Sequence, residues 1–318
     1  MNLKIQCKNF PSKFCPEKSL KFIDKYKFNV EYDKKYFGNI DIFNCEQCQI
    51  CFAQPMPDNK TLDDYYGFIY RAKNRPHDID DECPPSILKS RLEILEKKID
   101  LSNIKNVLEI GAGNGAFGKL LKDKHNINIF CIEPDSFVRD VLSNRGYKFF
   151  DEKKDVETKF DLILSFHSLE HFNSMENFFN LFEKVLNKNS TIFIEVPNNP
   201  VDKWFKSRPY DSPHTLFFSK KGLEKIFTDR KFDLIFSDYI GPEIEEVFKH
   251  MQISKKNFGN WSPEKSYFIK RFKKKIKSLL PLKLLEIKRS MFKNKRNNFY
   301  DFNYGNDNSW CLRILAKK

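Results

Sequence analysis

No stretch of this chain approaches the roughly eighteen uninterrupted apolar residues that cross a bilayer, so no transmembrane helix is expected. The opening residues, Met1-Asn2-Leu3-Lys4-Ile5-Gln6-Cys7, lack the charged head, apolar middle and small-residue cleavage site of a secretory signal, which makes the cytoplasm the expected compartment. There is no internal repeat, and no RNA-binding motif accompanies the basic residues, so nucleic acid is not an expected partner. Acidic residues are scarce in one region above all: residues 251–318 hold four Asp and Glu against eighteen Lys and Arg. The chain's net charge is +13, so this segment carries the whole excess and the remainder is nearly neutral. Such a segment suits an anionic partner, either a phosphorylated small molecule or a membrane surface, although a solvated basic helix would account for it as well.

What is present fits one large α/β domain with additions, since 318 residues of which 40% are hydrophobic can bury a substantial core. Five of the eight cysteines fall within the first 51 residues, and in a reducing compartment such clustering suggests metal more than disulfides. Cys83, Cys131 and Cys311 are scattered, the last two inside apolar strand-like runs, where a cysteine behaves as a small inert hydrophobe.

The pattern divides the chain into four stretches. Residues 1–75 are rich in cysteine and aromatics and show no long helical period. After a polar, acidic link at 76–84, Ile87, Leu88, Leu92, Ile94, Leu95 and Ile99 recur at helical spacing and predict a helix over 85–98. From Asn106 strands alternate with helices, the signature of βαβ units and a parallel sheet. Strands are expected at 106–110, 128–133, 147–150, 161–166, 191–196 and 232–238, with a last one from Trp310 to Ala316; helices are expected at 115–125, 135–145, 174–187 and 219–229. The fold class is therefore α/β, a seven-stranded Rossmann-like doubly wound sheet over 76–242 closed by residues 309–318. A small cysteine-containing domain precedes it, and a basic insertion at 243–308 interrupts it before the last strand.

Val107-Leu108-Glu109-Ile110 runs directly into Gly111-Ala112-Gly113-Asn114-Gly115 and then a helix. Glycine lets the backbone turn tightly there and lets a ligand approach the main chain. Twenty-two residues beyond Gly111, the next strand ends in Glu133, whose carboxylate oxygens can accept both hydroxyls of an adenosine ribose. That geometry alone serves NAD, FAD or S-adenosylmethionine (SAM) equally. The stretch VLEIGAGNGAFGKLL, however, closely resembles the first motif of class I SAM-dependent methyltransferases, in which the acid at the Glu109 position orders the loop around the methionine amino group. The resemblance extends over about 130 residues. IEPD, with Glu133 and Pro134, is similar to that family's second motif, FDLILSFHSLEHF, which includes Phe166, to its fourth strand and following loop, and TIFIEVPN to its fifth. SPHTLFFSKKGLEKIF is similar to the segment after strand five in ubiquinone and small-molecule O-methyltransferases.

The resemblance implies SAM as cofactor, held by Glu109, Gly111, Ala112, Gly113, Gly115, Glu133, Pro134 and Phe166. The crossover from Phe149 to Lys159 is short for a helix, and either Asp151 or Asp155 is a candidate for the adenine amino group. Tyr66 and Tyr70, four apart and so on one helical face, are placed to cover the cofactor or to pack in the core. Methyl transfer to a hydroxyl needs a base, and His167, Glu170 and His171 all fall in the loop after the fourth strand, with His214 able to fold over the same edge. These histidines can serve either as the base or purely to position groups around it.

Cys45 and Cys48, two residues apart, form one plausible half of a tetrahedral metal site, and Cys7 and Cys15 are the candidates for the other half. FNCEQCQICFAQP looks like the second zinc knuckle of sugar-modifying methyltransferases, which implies a structural zinc with Cys51 as a neighbour. Reduced structural cysteines without metal are the other reading. The same resemblance makes a sugar or nucleotide-linked glycan precursor the leading acceptor, with a quinone or other metabolite, and a SAM-binding regulator without turnover, as alternatives. In the basic insertion, residues 263–280 alternate apolar and basic side chains and can form a lid, a docking surface or a membrane contact.

Overall fold

The first described elements are three short strands, β1 (Leu20–Lys25), β2 (Asp41–Cys45) and β3 (Ile50–Gln54), with helix α1 (Glu31–Phe37) between the first two. In this computed structural model residues 20–26, 28, 31–70, 85–151, 155, 157–199, 214–246 and 305–318 are described. Cys7, Cys15, the acidic link and the amphipathic stretch at 263–280 lie outside them. Strands β2 and β3 pair antiparallel around a tight turn in which Gln49 takes a left-handed backbone (φ 55°) and its N–H returns to the Cys45 carbonyl at 2.8 Å. Helix α2 (Asn59–Asp64), capped by the Asp58 carboxylate on the Thr61 N–H, runs into a π-helical turn over Tyr65–Ile69.

Helix α3 (Pro85–Lys98) follows as the periodicity predicts. The main domain then runs β4 (Asn106–Ile110), α4 (Ala116–Lys124), β5 (Asn128–Ile132), α5 (Arg139–Asn144), β6 (Lys148–Phe149), β7 (Phe160–Phe166), α6 (Met175–Asn180) and β8 (Leu186–Pro197). After it come β9 (Leu216–Phe218), α7 (Lys220–Asp229), β10 (Asp233–Glu243) and β11 (Ser309–Lys317). The seven-stranded sheet has the order β10-β11-β8-β7-β4-β5-β6; β11 is antiparallel to both neighbours and the other pairings are parallel. This is a Rossmann-like doubly wound fold, and the order reverses between β4 and β7, the place where such sheets bind ligands at the strands' carboxyl ends.

Two expectations change. The N-terminal strands are not closed on themselves, because β9, from the segment after the fifth parallel strand, pairs with β3 through Ile50–Phe218 and Phe52–Leu216. The cysteine-rich segment is thus completed by a strand from the second half of the chain. The long helix expected over 174–187 stops at Asn180, gives a single 3-10 turn at Glu183–Val185, and yields to β8 at Leu186. Phe178, Phe179 and Phe182 are all fully buried, Phe178 meeting both of the others edge-on, and each such ring contributes about 1.5–3 kcal/mol by leaving water. Arg230 fastens the segment by pairing with Glu176 and Glu183. Among the described residues no helix is long and apolar enough to cross a membrane.

Candidate functional site

A cavity of about 640 Å³ opens at the carboxyl edge of the sheet, within the range of small-molecule sites. Its lining joins the glycine turn, the β5 tip, the loop after β7, helix α6 and the α2–π-helix segment. Gly111, Gly113 and Gly115 all have left-handed φ between 56° and 71°, a conformation that costs other residues dearly. Gly118 answers a different demand, close approach: a Cβ there would lie 2.0 Å from the Tyr147 hydroxyl and 2.8 Å from a Glu109 oxygen.

Glu133 holds the turn. Its Oε2 accepts the Gly113 N–H at 2.7 Å and its Oε1 the Asp135 N–H at 2.9 Å, so one carboxylate ties the β4 loop to the β5 tip. Glu109 is buried beneath, accepting from the Tyr147 hydroxyl. Burial drives its pKa up to about 7, against the lowering effects of the Tyr147 hydrogen bond and the Arg91 charge. An acid whose folded-state pKa lies above its ordinary value weakens the fold as pH rises from about 4.5 to about 7, here by about 3 kcal/mol in total. A cationic amino group arriving beside Glu109 would relieve that penalty by ionising it. Binding of S-adenosylhomocysteine just below pH 7 should therefore release protons, seen as a calorimetric enthalpy that varies with buffer ionisation enthalpy. The Glu109→Gln variant should show no such dependence; a wild-type enthalpy independent of buffer contradicts the assignment.

The floor is a buried charge network. Glu195 on β8 is fully buried and pairs with the guanidinium of Arg91 from α3 and that of Arg313 from β11. Burial opposes its charge, but Arg313 and then Arg91 hold the carboxyl well below the usual range. Arg91 also stacks over the Phe166 ring at 4.0 Å and faces the cavity. His167, in a left-handed backbone (φ 53°), places Nε2 3.0 Å from Glu195 and Nδ1 3.6 Å from Glu170. Burial works against its charge, yet Cys311 and the two carboxylates more than reverse this, and its pKa stands well above the usual imidazole value. Burial pushes the Cys311 thiol up, against the lowering influence of His167.

His171 lines the cavity, with Nδ1 2.6 Å from the Tyr66 hydroxyl and its ring 4.9 Å from that of His214. Thr215 locks this corner, donating its N–H to the Glu170 carbonyl at 2.8 Å and its hydroxyl to the carbonyls of Glu170 and Phe172. Tyr66 and Tyr70 both face the cavity from the π-helical turn, which rests on the β5 tip through Ser136 Oγ and the Gly67 carbonyl (3.3 Å).

Of the residues expected at the site, Glu109, Gly111, Ala112, Gly113, Glu133, Pro134, Phe166, His167, His171, Tyr66 and Tyr70 meet in this one cavity. Gly115, Asp151, Glu170 and His214 do not line it. Gly115 caps α4, where a Cβ would strike Leu142 and Tyr147, and the Asp151 N–H is held by the Asp155 carboxylate at 2.8 Å. Cys45 and Cys48 are fully buried on the β2–β3 turn among Ile50, Leu223 and Ile226, and neither lines the cavity. Arg91, Glu195, Arg313 and Tyr147 were not anticipated. Their signal is a charged residue inside an apolar run, Glu195 in TIFIEVP and Arg313 in WCLRILA, which demands an opposite charge nearby. A further group, Asn59, Asn173 and Asn177, joined by amide hydrogen bonds of 2.6–3.3 Å, forms one wall of the cavity together with Asp63 and Asn180.

Among solved structures the chain is similar to coclaurine N-methyltransferase (15% identity, 75% of each chain, TM-score 0.43). It is also similar to a SAM-dependent methyltransferase from Archaeoglobus fulgidus (18% identity, 73% of this chain and 93% of that one, TM-score 0.41). A third is a possible histamine N-methyltransferase from Thermotoga maritima (15% identity, 73% and 89%, TM-score 0.41). No curated protein matches the sequence. The family model described as "Methyltransferase domain" matches residues 76–236, half of the chain, and spans the glycine turn, Glu133 and the loop of His167 and His171. The chain belongs to the methyltransferase-domain family and is a SAM-dependent methyltransferase.

Proposed function

We propose that the cavity transfers the methyl group of SAM to an oxygen of a small hydroxylated acceptor, a sugar or a nucleotide-linked glycan precursor. The observation that carries the reading is the Gly113–Glu133–Asp135 clasp, a carboxylate fixed through both oxygens at the tip of the second parallel strand and lining the cavity. Bound SAM supplies an electrophilic methyl on a sulfonium. The chain's part is to hold the cofactor, align the acceptor behind the methyl and accept the hydroxyl proton. Arg91, one of two guanidiniums sharing the single Glu195 carboxylate, offers surplus positive charge to the methionine carboxylate. His171, braced by Tyr66, is the group placed to take the acceptor proton. The amide wall of Asn59, Asn173 and Asn177 offers both donors and acceptors, which suits hydroxyl groups better than a quinone ring. The basic excess of residues 251–318 suits a phosphate on the acceptor.

Glu133→Ala should weaken S-adenosylhomocysteine binding about 100-fold, because it removes a charge-assisted ribose contact worth roughly 1.5–3 kcal/mol and frees the loop it clasps. Calorimetry checks this, and unchanged affinity removes the ribose role. Turnover against a panel of nucleotide sugars tests the acceptor; reaction with a quinone precursor alone overturns it. Zinc is the proposed structural metal of Cys45 and Cys48 with Cys7 and Cys15; four thiolates would leave no open position, so its contribution is to the fold.

A further inference from the structure

The amides of the cavity wall hold one another. Asn59 Oδ1 accepts from Asn173 Nδ2 at 2.6 Å and from Asn177 Nδ2 at 3.3 Å, and Asn177 Nδ2 also donates to Asn173 Oδ1 at 2.6 Å. The other proton of Asn173 Nδ2 goes to the Pro57 carbonyl at 3.4 Å. Turning Asn59 over would set nitrogen against nitrogen, and turning Asn177 over would set oxygen against oxygen, so the network fixes both amides. It leaves over the Asn59 NH₂, the Asn177 Oδ1, the Asn180 amide and the Asp63 carboxylate, none of which has a hydrogen-bond partner among the described residues, and all four residues line the cavity. A hydroxyl answers that remainder, because it gives a proton to an amide oxygen or carboxylate and takes one from an amide NH₂. A phosphate has no proton to give near neutral pH, an ammonium has no lone pair to accept with, and a quinone carbonyl only accepts.

Charge and shape agree with this. Arg91 is the one arginine or lysine lining the cavity among the described residues, and it is engaged by Glu195 and the Phe166 face. The amide wall adds the Asp63 carboxylate and no cation, so an anionic group seated there is repelled. Leu62, Phe172 and Leu181, each adjacent in sequence to one of the polar residues, line the same cavity and supply apolar surface. Hydroxyls along an edge and C–H bonds across a face are the two surfaces of a sugar ring. Asn173 follows His171 by two residues, which keeps their Cα atoms within about 7.6 Å and the amides near the imidazole assigned to the proton. We propose that Asn59, Asn173 and Asn177, with Asp63 and Asn180, form the acceptor subsite and select an uncharged polyhydroxyl ring, so that any phosphate on the acceptor lies away from this wall. This rests on the reading that the cavity methylates a hydroxylated acceptor.

The test is steady-state methylation by the full chain of a panel of neutral nucleotide hexoses, each set against the nucleotide uronate that differs from it only by a ring carboxylate. S-Adenosylhomocysteine release gives the rate, and S-adenosylhomocysteine affinity is measured in parallel. A neutral hexose should be preferred over its uronate by about tenfold in kcat/KM, and Asp63→Asn, at an exposed position, should cut that preference to about twofold by removing the repulsion. Asn177→Leu should raise KM for the neutral hexose about tenfold, the worth of one to two hydrogen bonds, with cofactor affinity kept. A wild type that prefers the uronate, or an Asp63→Asn preference equal to that of the wild type, overturns the subsite while sugar turnover, and with it the underlying reading, stands. Turnover of no nucleotide sugar overturns the underlying reading and the subsite together, so the two failures are distinguishable.

Discussion

Glu195→Gln should lower the stability of the protein by about 3–5 kcal/mol, the cost of leaving a buried charge without its partner. Here the loss strands two guanidiniums at once, since Arg313 is fully buried and Arg91 nearly so. For a chain of 318 residues that corresponds to roughly 5 °C in thermal midpoint. The pH dependence has a definite sign. The folded-state pKa of Glu195 lies below its ordinary value, so its contribution is fully present above about 4.5 and fades as pH falls through the depressed pKa. The gap between wild type and variant should therefore be widest near neutral pH and narrow in acid. Calorimetric melts across that range check it, and a variant within about 1 kcal/mol of wild type at neutral pH would show that the network does not hold the cavity floor.

Much of the molecule's architecture could be read before any coordinates because it depends on local rules. The alternation of apolar strands with capped amphipathic helices specifies a parallel sheet, and five of the expected strand positions agree with the structure to within two residues at each end. The glycine turn and Glu133 were legible for the same reason, since left-handed backbone and a carboxylate at a strand tip are properties of single positions.

What could not be read depends on pairs distant in sequence. Nothing local tells that Leu216–Phe218 will complete the sheet of residues 20–54, because a three-residue apolar run pairs equally well with many edges. The helix expected to reach 187 was misjudged because Phe178, Phe179 and Phe182 satisfy a helical period even though their burial is met by a shorter helix and a 3-10 turn. Tyr147 was overlooked since its partner Glu109 lies 38 residues away, and only the close approach at Gly118 betrays it. Arg91, Glu195 and Arg313 come from one helix and two strands, and their charges make sense only once the sheet brings them together.

His171→Ala should slow methyl transfer by about 10²–10⁴ in kcat, the usual contribution of a positioned base, while cofactor affinity changes by no more than a few-fold. The separation is expected because the proposed cofactor contacts are those of Glu133, the glycine turn and Arg91, whereas His171 is held by the Tyr66 hydroxyl. Tyr66→Phe keeps the ring contact with His171, whose centroid is 4.6 Å away, and loses only the hydroxyl, so a smaller loss of about 10-fold is expected. A base and a positioning group are told apart by His171→Gln, which keeps a hydrogen-bonding side chain of similar reach but cannot take the proton. If the histidine is the base, glutamine rescues nothing and the rate stays near that of alanine. If glutamine restores the wild-type rate, His171 only orients its neighbours and the acceptor must lose its proton by another route.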